Sequence, residues 1–214
     1  MKFMNKEKIL IIAPHADDEV LGCGGVISKK YANSDIHVIV VSNRLEDEED
    51  KFSCSKLAEA YNLKYYFLDY QDEYLDTIPI SQLIKRIEQH YLSILPDTVY
   101  IPFYGDINND HSVVYRACTI AFRRIQSNQP KEVFCYEVPS STTQGINTFS
   151  PNTYITLDIN NVIEKYKMLS AFKKEVRSYP NPRSKRGITT YARFRGMECN
   201  KKYAEAFSCV YKIQ

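Results

Sequence analysis

Five consecutive apolar residues, Ile9-Leu10-Ile11-Ile12-Ala13, run through Pro14 into His15-Ala16-Asp17-Asp18-Glu19. A short run that is apolar throughout reads as a strand buried on both faces, the situation inside a parallel sheet covered by helices. Nothing in such a strand requires it to end in one imidazole and three carboxylates. Packed acids repel one another, so the cluster points to a cation or a proton-transfer task at the strand's carboxyl end. Open α/β sheets place their ligands at that end. A second segment, Gly105-Asp106-Ile107-Asn108-Asn109-Asp110-His111, supplies another imidazole after another expected strand.

Strand and helix signals alternate along the first two thirds of the chain. Strands are expected at Ile9–Ala13, Ile36–Ser42, around Tyr65–Leu68, at Asp97–Ile101 and at Val133–Glu137. Helices are expected at Glu19–Tyr31, Lys51–Tyr61 and His111–Gln126. The clearest amphipathic helix opens at Pro79, places Ile80, Leu83, Ile84, Ile87, Tyr91 and Leu95 at helical spacing, and stops at Pro96. This order predicts a three-layer α/β domain with a mainly parallel sheet and right-handed crossovers. After Pro139 the texture changes. A polar loop (Ser140–Gly145), a short strand (Tyr154–Leu157), a helix (Val162–Val176) and an extended Pro-Asn-Pro-Arg segment (Pro180–Arg183) form an elaborated C-terminal part. No repeat or long linker divides the 214 residues, so one domain over 1–214 is expected.

Composition excludes several classes. A formal net charge of +2 gives no bulk attraction for nucleic acid. The run Glu46–Asp50 reads as a solvated acidic loop, and the stretch Pro180–Lys202 is basic, with Arg183, Lys185, Arg186, Arg193, Arg195, Lys201 and Lys202 against Glu198. An anionic substrate would need such a surface. The six cysteines are scattered without a CxxC pair, the pattern of a reducing compartment. No segment approaches the ~20 apolar residues that cross a bilayer, so a cytoplasmic protein without membrane insertion is expected.

His15 and Asp18 sit across the turn that Pro14 forces, and their spacing lets both side chains converge. With His111 the set is two imidazoles and one carboxylate, the donor type of catalytic zinc sites that keep a position open for water. Such a zinc lowers the pKa of its water to roughly 7. Asp17, beside the ligands and not needed as one, is placed to take the proton. Helix-start electrostatics would account for one or two of the carboxylates but not for His15 among them. Non-haem iron oxygenases share the donor set but usually sit in all-β barrels. Gly22, Gly24 and Gly25 do not have dinucleotide-motif spacing, and the acids before them would repel a pyrophosphate.

With these residues in view, PHADDE followed by LGCGG resembles the first motif of the PIG-L/LmbE-like family of zinc-dependent sugar de-N-acetylases, and GDINNDH resembles the second. The likeness continues through Asp72 with Leu75-Asp76-Thr77, Glu137-Val138-Pro139-Ser140-Ser141, Pro182-Arg183-Ser184, Arg195-Gly196 and Ala204-Glu205-Ala206-Phe207. It implies a Rossmann-like fold and removal of acetyl groups from N-acetylated amino sugars, free, nucleotide-linked or lipid-linked. It also implies His15, Asp18 and His111 as ligands of Zn2+, with another divalent metal such as Fe2+ as the alternative, Asp17 as the base, and Asp110 as a site-orienting carboxylate.

Asn108 stands where many members carry a histidine. It donates a hydrogen bond but delivers no proton at pH 7. Asn181, Pro102 and Phe103 also replace histidines of related patterns, so the general acid is left open, with Asp17 as a single acid–base group one candidate. His37, inside a strand, and His90, on a helix, are expected to be structural or surface groups rather than catalytic. Asp72, Arg183 and Ser184 are the expected substrate contacts, with Arg183 as a phosphate-gripping fork. A homo-oligomer is compatible with the sequence. Two rival readings are a catalytically silent sugar-binding or scaffold protein and a zinc amidase acting on another amide.

Overall fold

The computed structural model describes residues 6–43, 48–125 and 128–213. Seven strands form one sheet: β1 (Glu7–Ala13), β2 (Ser34–Asn43), β3 (Leu63–Gln71), β4 (Thr98–Pro102), β5 (Glu132–Tyr136), β6 (Thr153–Leu157) and β7 (Tyr203–Lys212). Their spatial order is β3-β2-β1-β4-β5-β7-β6. Strands β1 to β5 pair in parallel, and β7 runs antiparallel to both β5 and β6. The helices are α1 (Asp18–Lys30), α2 (Glu48–Tyr61), α3 (Ile80–Ile94), α4 (Asn109–Ala121), α5 (Ile159–Leu169) and α6 (Lys185–Glu198).

The continuous apolar run of β1 feeds two cores because successive side chains point to opposite faces. Ile9, Ile11 and Ala13 pack with residues of α1, α2, α5 and α6, while Leu10 and Ile12 pack with α3 and α4. The result is the expected three-layer, mostly parallel α/β architecture. The strand order reverses between β1 and β4, the switch point at which such sheets open a crevice. Both signature segments leave the sheet there.

The C-terminal part departs most from expectation. Helix α6 and strand β7 have no counterpart among the expected elements. The helix expected over Val162–Val176 is α5, which begins at Ile159 behind the Asp158 capping box and stops at Ser170. The segment Pro180–Arg183 is turned rather than extended, because the Asn181 side chain accepts the Arg183 N–H (2.9 Å) and folds the chain back. Helix α4 ends at Ala121, well before Gln126, which lies outside the described residues. In the acidic run, Glu48, Glu49 and Asp50 form the first turn of α2, where the helix dipole favours carboxylates. Glu46 and Asp47 lie outside the described residues. Among the described residues all six cysteines are free, and no helix is long and apolar enough to cross a membrane.

Candidate metal centre and active site

The turn after β1 is pinned from β2. The Pro14 carbonyl accepts both the N–H (2.9 Å) and the hydroxyl (2.8 Å) of Ser42. His15 follows, its N–H donating to Asp18 Oδ2 at 3.0 Å. Asp17 caps α1 with φ 116° and ψ −26°. A left-handed backbone at a non-glycine residue costs about 1–3 kcal/mol and persists only where its surroundings enforce it. From the other side, Asn108 caps α4 by accepting the Asp110 N–H (2.9 Å). That cap starts α4 so that Asp110 and His111 fall in its first turn, facing His15.

Asp18 Oδ2 lies 3.1 Å from His15 Nδ1 and 3.2 Å from His111 Nε2, and the two ring centroids are 5.3 Å apart. These three side chains offer ligand atoms within 4.8 Å of one another. Each imidazole has a carboxylate behind its outer nitrogen. His15 Nε2 lies 2.9 Å from Asp72 Oδ1 and 3.3 Å from Asp110 Oδ2. His111 Nδ1 lies 3.4 Å from Asp106 Oδ2. A carboxylate on the far nitrogen fixes the tautomer and ring orientation of a metal-ligating histidine. A second set of His15, Asp72 and Asp110 is equally close. Its Asp110 oxygens already accept the N–H groups of Glu73 (2.9 Å) and Leu75 (3.3 Å), which suits an orienting carboxylate better than a ligand.

The electrostatics match the geometry. Burial works against a charged His111, yet Asp18 and Asp106 raise its pKa to about 9. Burial likewise opposes protonation of His15, and Asp110, Asp18 and Asp72 overcome it. Asp18 is held well below the usual carboxylate range by the two imidazoles despite its burial. Anionic oxygens that favour positive charge at one point between two imidazoles are the donor chemistry of a divalent cation, so the residues present fit a metal. Asp17 behaves oppositely. Burial first, and the charge of Asp18 second, raise its pKa well above the ordinary value, against the pull of Arg183.

The cavity over this centre is lined by His15, Asp17, Asp18, Asp50, Asp72, Glu73, Asn108, His111, Ser141, Glu175 and Arg183, among others. Of the residues expected from sequence, the structure brings together His15, Asp17, Asp18, Asp72, Asn108, His111 and Arg183, with Asp110 directly behind. Ser184 is not among the lining residues; it is buried and caps α6 by accepting the Gly187 N–H (2.9 Å). Arg183 is not a free fork. Its Nη1 donates to Asp17 Oδ2 (3.0 Å) and Glu175 Oε2 (2.5 Å), and its Nε to Ser140 Oγ (3.0 Å).

Two residues of the site went unassigned in the sequence. Asp106 was legible as the Asx residue of Asp-Ile-Asn: Oδ1 accepts the Asn108 N–H, and Oδ2 accepts the Ser141 and Thr142 hydroxyls. Glu175 gave no local signal, because the segment after α5 brings it in from far along the chain. His37 and His90 lie on β2 and α3, outside the cavity lining, as expected.

A pair of imidazoles sharing one aspartate, beside a buried aspartate at the switch point of an open α/β sheet, has the donors to hold a divalent cation with a carboxylate next to it. The model of the PIG-L family, described as GlcNAc-PI de-N-acetylase, matches residues 10–122, which hold both signature segments and more than half of the chain. The chain belongs to that family and is a hydrolase of the deacetylase class.

Solved structures add the fold. The N,N'-diacetylchitobiose deacetylase of Pyrococcus horikoshii superposes with a TM-score of 0.74 at 20% identity, over 97% of this chain and 85% of that one. An A40926 pseudoaglycone deacetylase gives 0.72 at 15% identity, over 95% and 96%. The 4-carboxy-2-hydroxymuconate hydratase of Pseudomonas putida KT2440 gives 0.75 at 19%, over 97% and 98%. One fold thus carries different reactions, and the site must choose among them. No curated protein matches by sequence.

Proposed function

We propose that this protein removes the acetyl group from an N-acetylated amino sugar, with a divalent metal, zinc in the first instance, held by His15, Asp18 and His111. The observation that carries this reading is the position of Asp17: a buried carboxylate next in sequence to one ligand, facing the same cavity, and not needed to hold the ion. When bound, the cation supplies a Lewis acid and lowers the pKa of water at neutral pH.

The chain's own residues do the rest. Asp17 takes the proton of the attacking water and returns it to the leaving nitrogen, one group acting as base and then as acid. Asn108 commits its side-chain oxygen to the Asp110 N–H, so its NH2 is the end left to donate to a carbonyl oxygen without giving up a proton. Asp72 and Asp110 orient His15, and Asp106 lies beside the outer nitrogen of His111 as a charge partner at 3.4 Å rather than through a hydrogen bond. The neighbouring chitobiose deacetylase acts by its name on an N-acetylated sugar, and the same substrate class is proposed here.

Metal analysis combined with acetate release from free, nucleotide-linked and lipid-linked N-acetylamino sugars tests the reading. One divalent ion per chain is expected, and His111→Ala is expected to lose metal and acetate release together. Stoichiometric metal in that variant would remove the basis of the ligand assignment. Release of acetate from none of the sugars, with metal bound, would leave hydrolysis of another amide.

A further inference from the structure

The opening motif holds three carboxylates, and the chemistry above uses two. Glu19 is the third. It is fully buried, one residue into α1. Its Oε2 accepts the N–H of Asp17 at 3.0 Å, and its Oε1 accepts the hydroxyl of Tyr65, from β3, at 2.9 Å. Asp17 is the residue whose backbone sits at φ 116°. That conformation turns its N–H into the protein interior, where a backbone donor needs an acceptor. Glu19, two residues on, curls back to provide one. Tyr65 occupies the other oxygen, so the carboxylate is tied from two elements.

We propose that Glu19 is a positioning residue. It clamps the Asp17 peptide in the left-handed conformation that points the Asp17 carboxylate into the cavity, and Tyr65 fixes the clamp. This rests on the reading of Asp17 as the proton-transfer group. The arrangement also explains the sequence: position 19 must present two acceptor oxygens in a dry place, a task aspartate is too short to span and an apolar residue cannot perform.

Two substitutions separate this role from others. Glu19→Gln keeps an acceptor for the Asp17 N–H and offers Tyr65 a donor in place of the second oxygen. Glu19→Leu fills similar space and offers no acceptor. With metal content, kcat and KM measured on the intact chain, the Gln variant is expected to hold kcat within about threefold. The Leu variant is expected to lose about 10–100-fold in kcat, the scale for a misplaced catalytic group, with KM and metal stoichiometry little changed. The Asp17 amide proton, followed by hydrogen exchange, is expected to stay protected in the Gln variant and to exchange freely in the Leu variant. Equal losses in both would mean that Glu19 acts through its charge, and undiminished kcat in the Leu variant would mean that Asp17 needs no clamp; either overturns the proposal.

Should Glu19→Leu fail to fold, Tyr65→Phe takes its place. A few-fold fall confined to kcat, with weaker Asp17 protection, supports the clamp, and unchanged kcat and protection overturns it. Asp17→Asn judges the underlying reading separately: near-normal turnover there defeats the base assignment, while Asp17 protection in the Glu19 variants still reports on the clamp.

Discussion

Arg195→Met offers a demanding test of how the C-terminal part supports the site. Arg195, on α6, is buried, and its guanidinium meets the Glu137 carboxylate through two bonds of 2.6 Å. Its Nη1 also reaches Glu198 at 2.9 and 3.0 Å. Glu137 directly follows β5, and the loop after it carries Ser141 and Thr142 to Asp106 and Ser140 to Arg183. Methionine keeps the apolar stem and removes the charge, leaving Glu137 buried without its partner. Breaking a buried pair from one side costs about 3–5 kcal/mol. At ~2–4 °C per kcal/mol for a chain of this size, Tm falls by about 6–20 °C. Scanning calorimetry on metal-loaded protein reads that shift, and Arg195→Met with Glu137→Leu should recover most of it, because no buried charge is then left unpaired and Glu198, the other partner, is partly solvated. A loss under about 1 kcal/mol for the single variant would refute the argument, since Glu137 would then be solvated or re-paired at little cost.

Three further outcomes are expected. Asp17→Asn keeps the proposed ligands, so metal should stay bound while kcat falls by about 10²–10⁴-fold; near-normal turnover would place the base elsewhere. Arg183→Ala should lower turnover on neutral and phosphate-linked substrates alike, because Arg183 is engaged with Asp17 and Glu175; a loss confined to phosphate-linked sugars would restore the phosphate-fork role. Alkylation of the native protein at pH 8 should modify Cys199 and Cys209 first, since Cys23, Cys54, Cys118 and Cys135 are buried and burial pushes Cys135 up to about 12. Rapid labelling of all six thiols would contradict the packing of the strands and helices that hold them.

The parallel half of the sheet was legible because its strands are locally apolar: Ile9–Ala13 and Ile36–Ser42 announce themselves whatever they pair with. The start of the candidate site stood out for a related reason, since His15, Asp17 and Asp18 are too polar for a strand end without a task. Helix α6 and strand β7 were not. The buried positions of α6 are Gly187, Ile188, Ala192, Arg195 and Gly196, where Ile188 is the one large apolar residue, which gives little apolar contrast. Strand β7 buries Glu205 between Ala204 and Ala206. That glutamate accepts the Gly25 and Val26 N–H groups (2.7 and 2.8 Å) and the Lys165 ammonium (2.6 Å), so its partners lie 180, 179 and 40 residues away. A pattern completed only by distant partners leaves no local trace. The same holds for Arg183, whose basic neighbourhood suggested an anion and which meets Asp17, Glu175 and Ser140 from distant parts of its own chain.

The charge of the cavity wall bears on how the enzyme lets go. Deacetylation turns one neutral amide into two ions, an acetate and an ammonium. Among the described residues that line that space, Asp17, Asp18, Asp50, Asp72, Glu73 and Glu175 stand against Arg183, the one lysine or arginine among them. Carboxylates in that excess repel acetate and attract the new ammonium, even with a dication at the centre. For the amino-sugar deacetylation proposed above, acetate is expected to leave first and the free amino sugar last, with added salt, which screens the attraction, speeding that last departure.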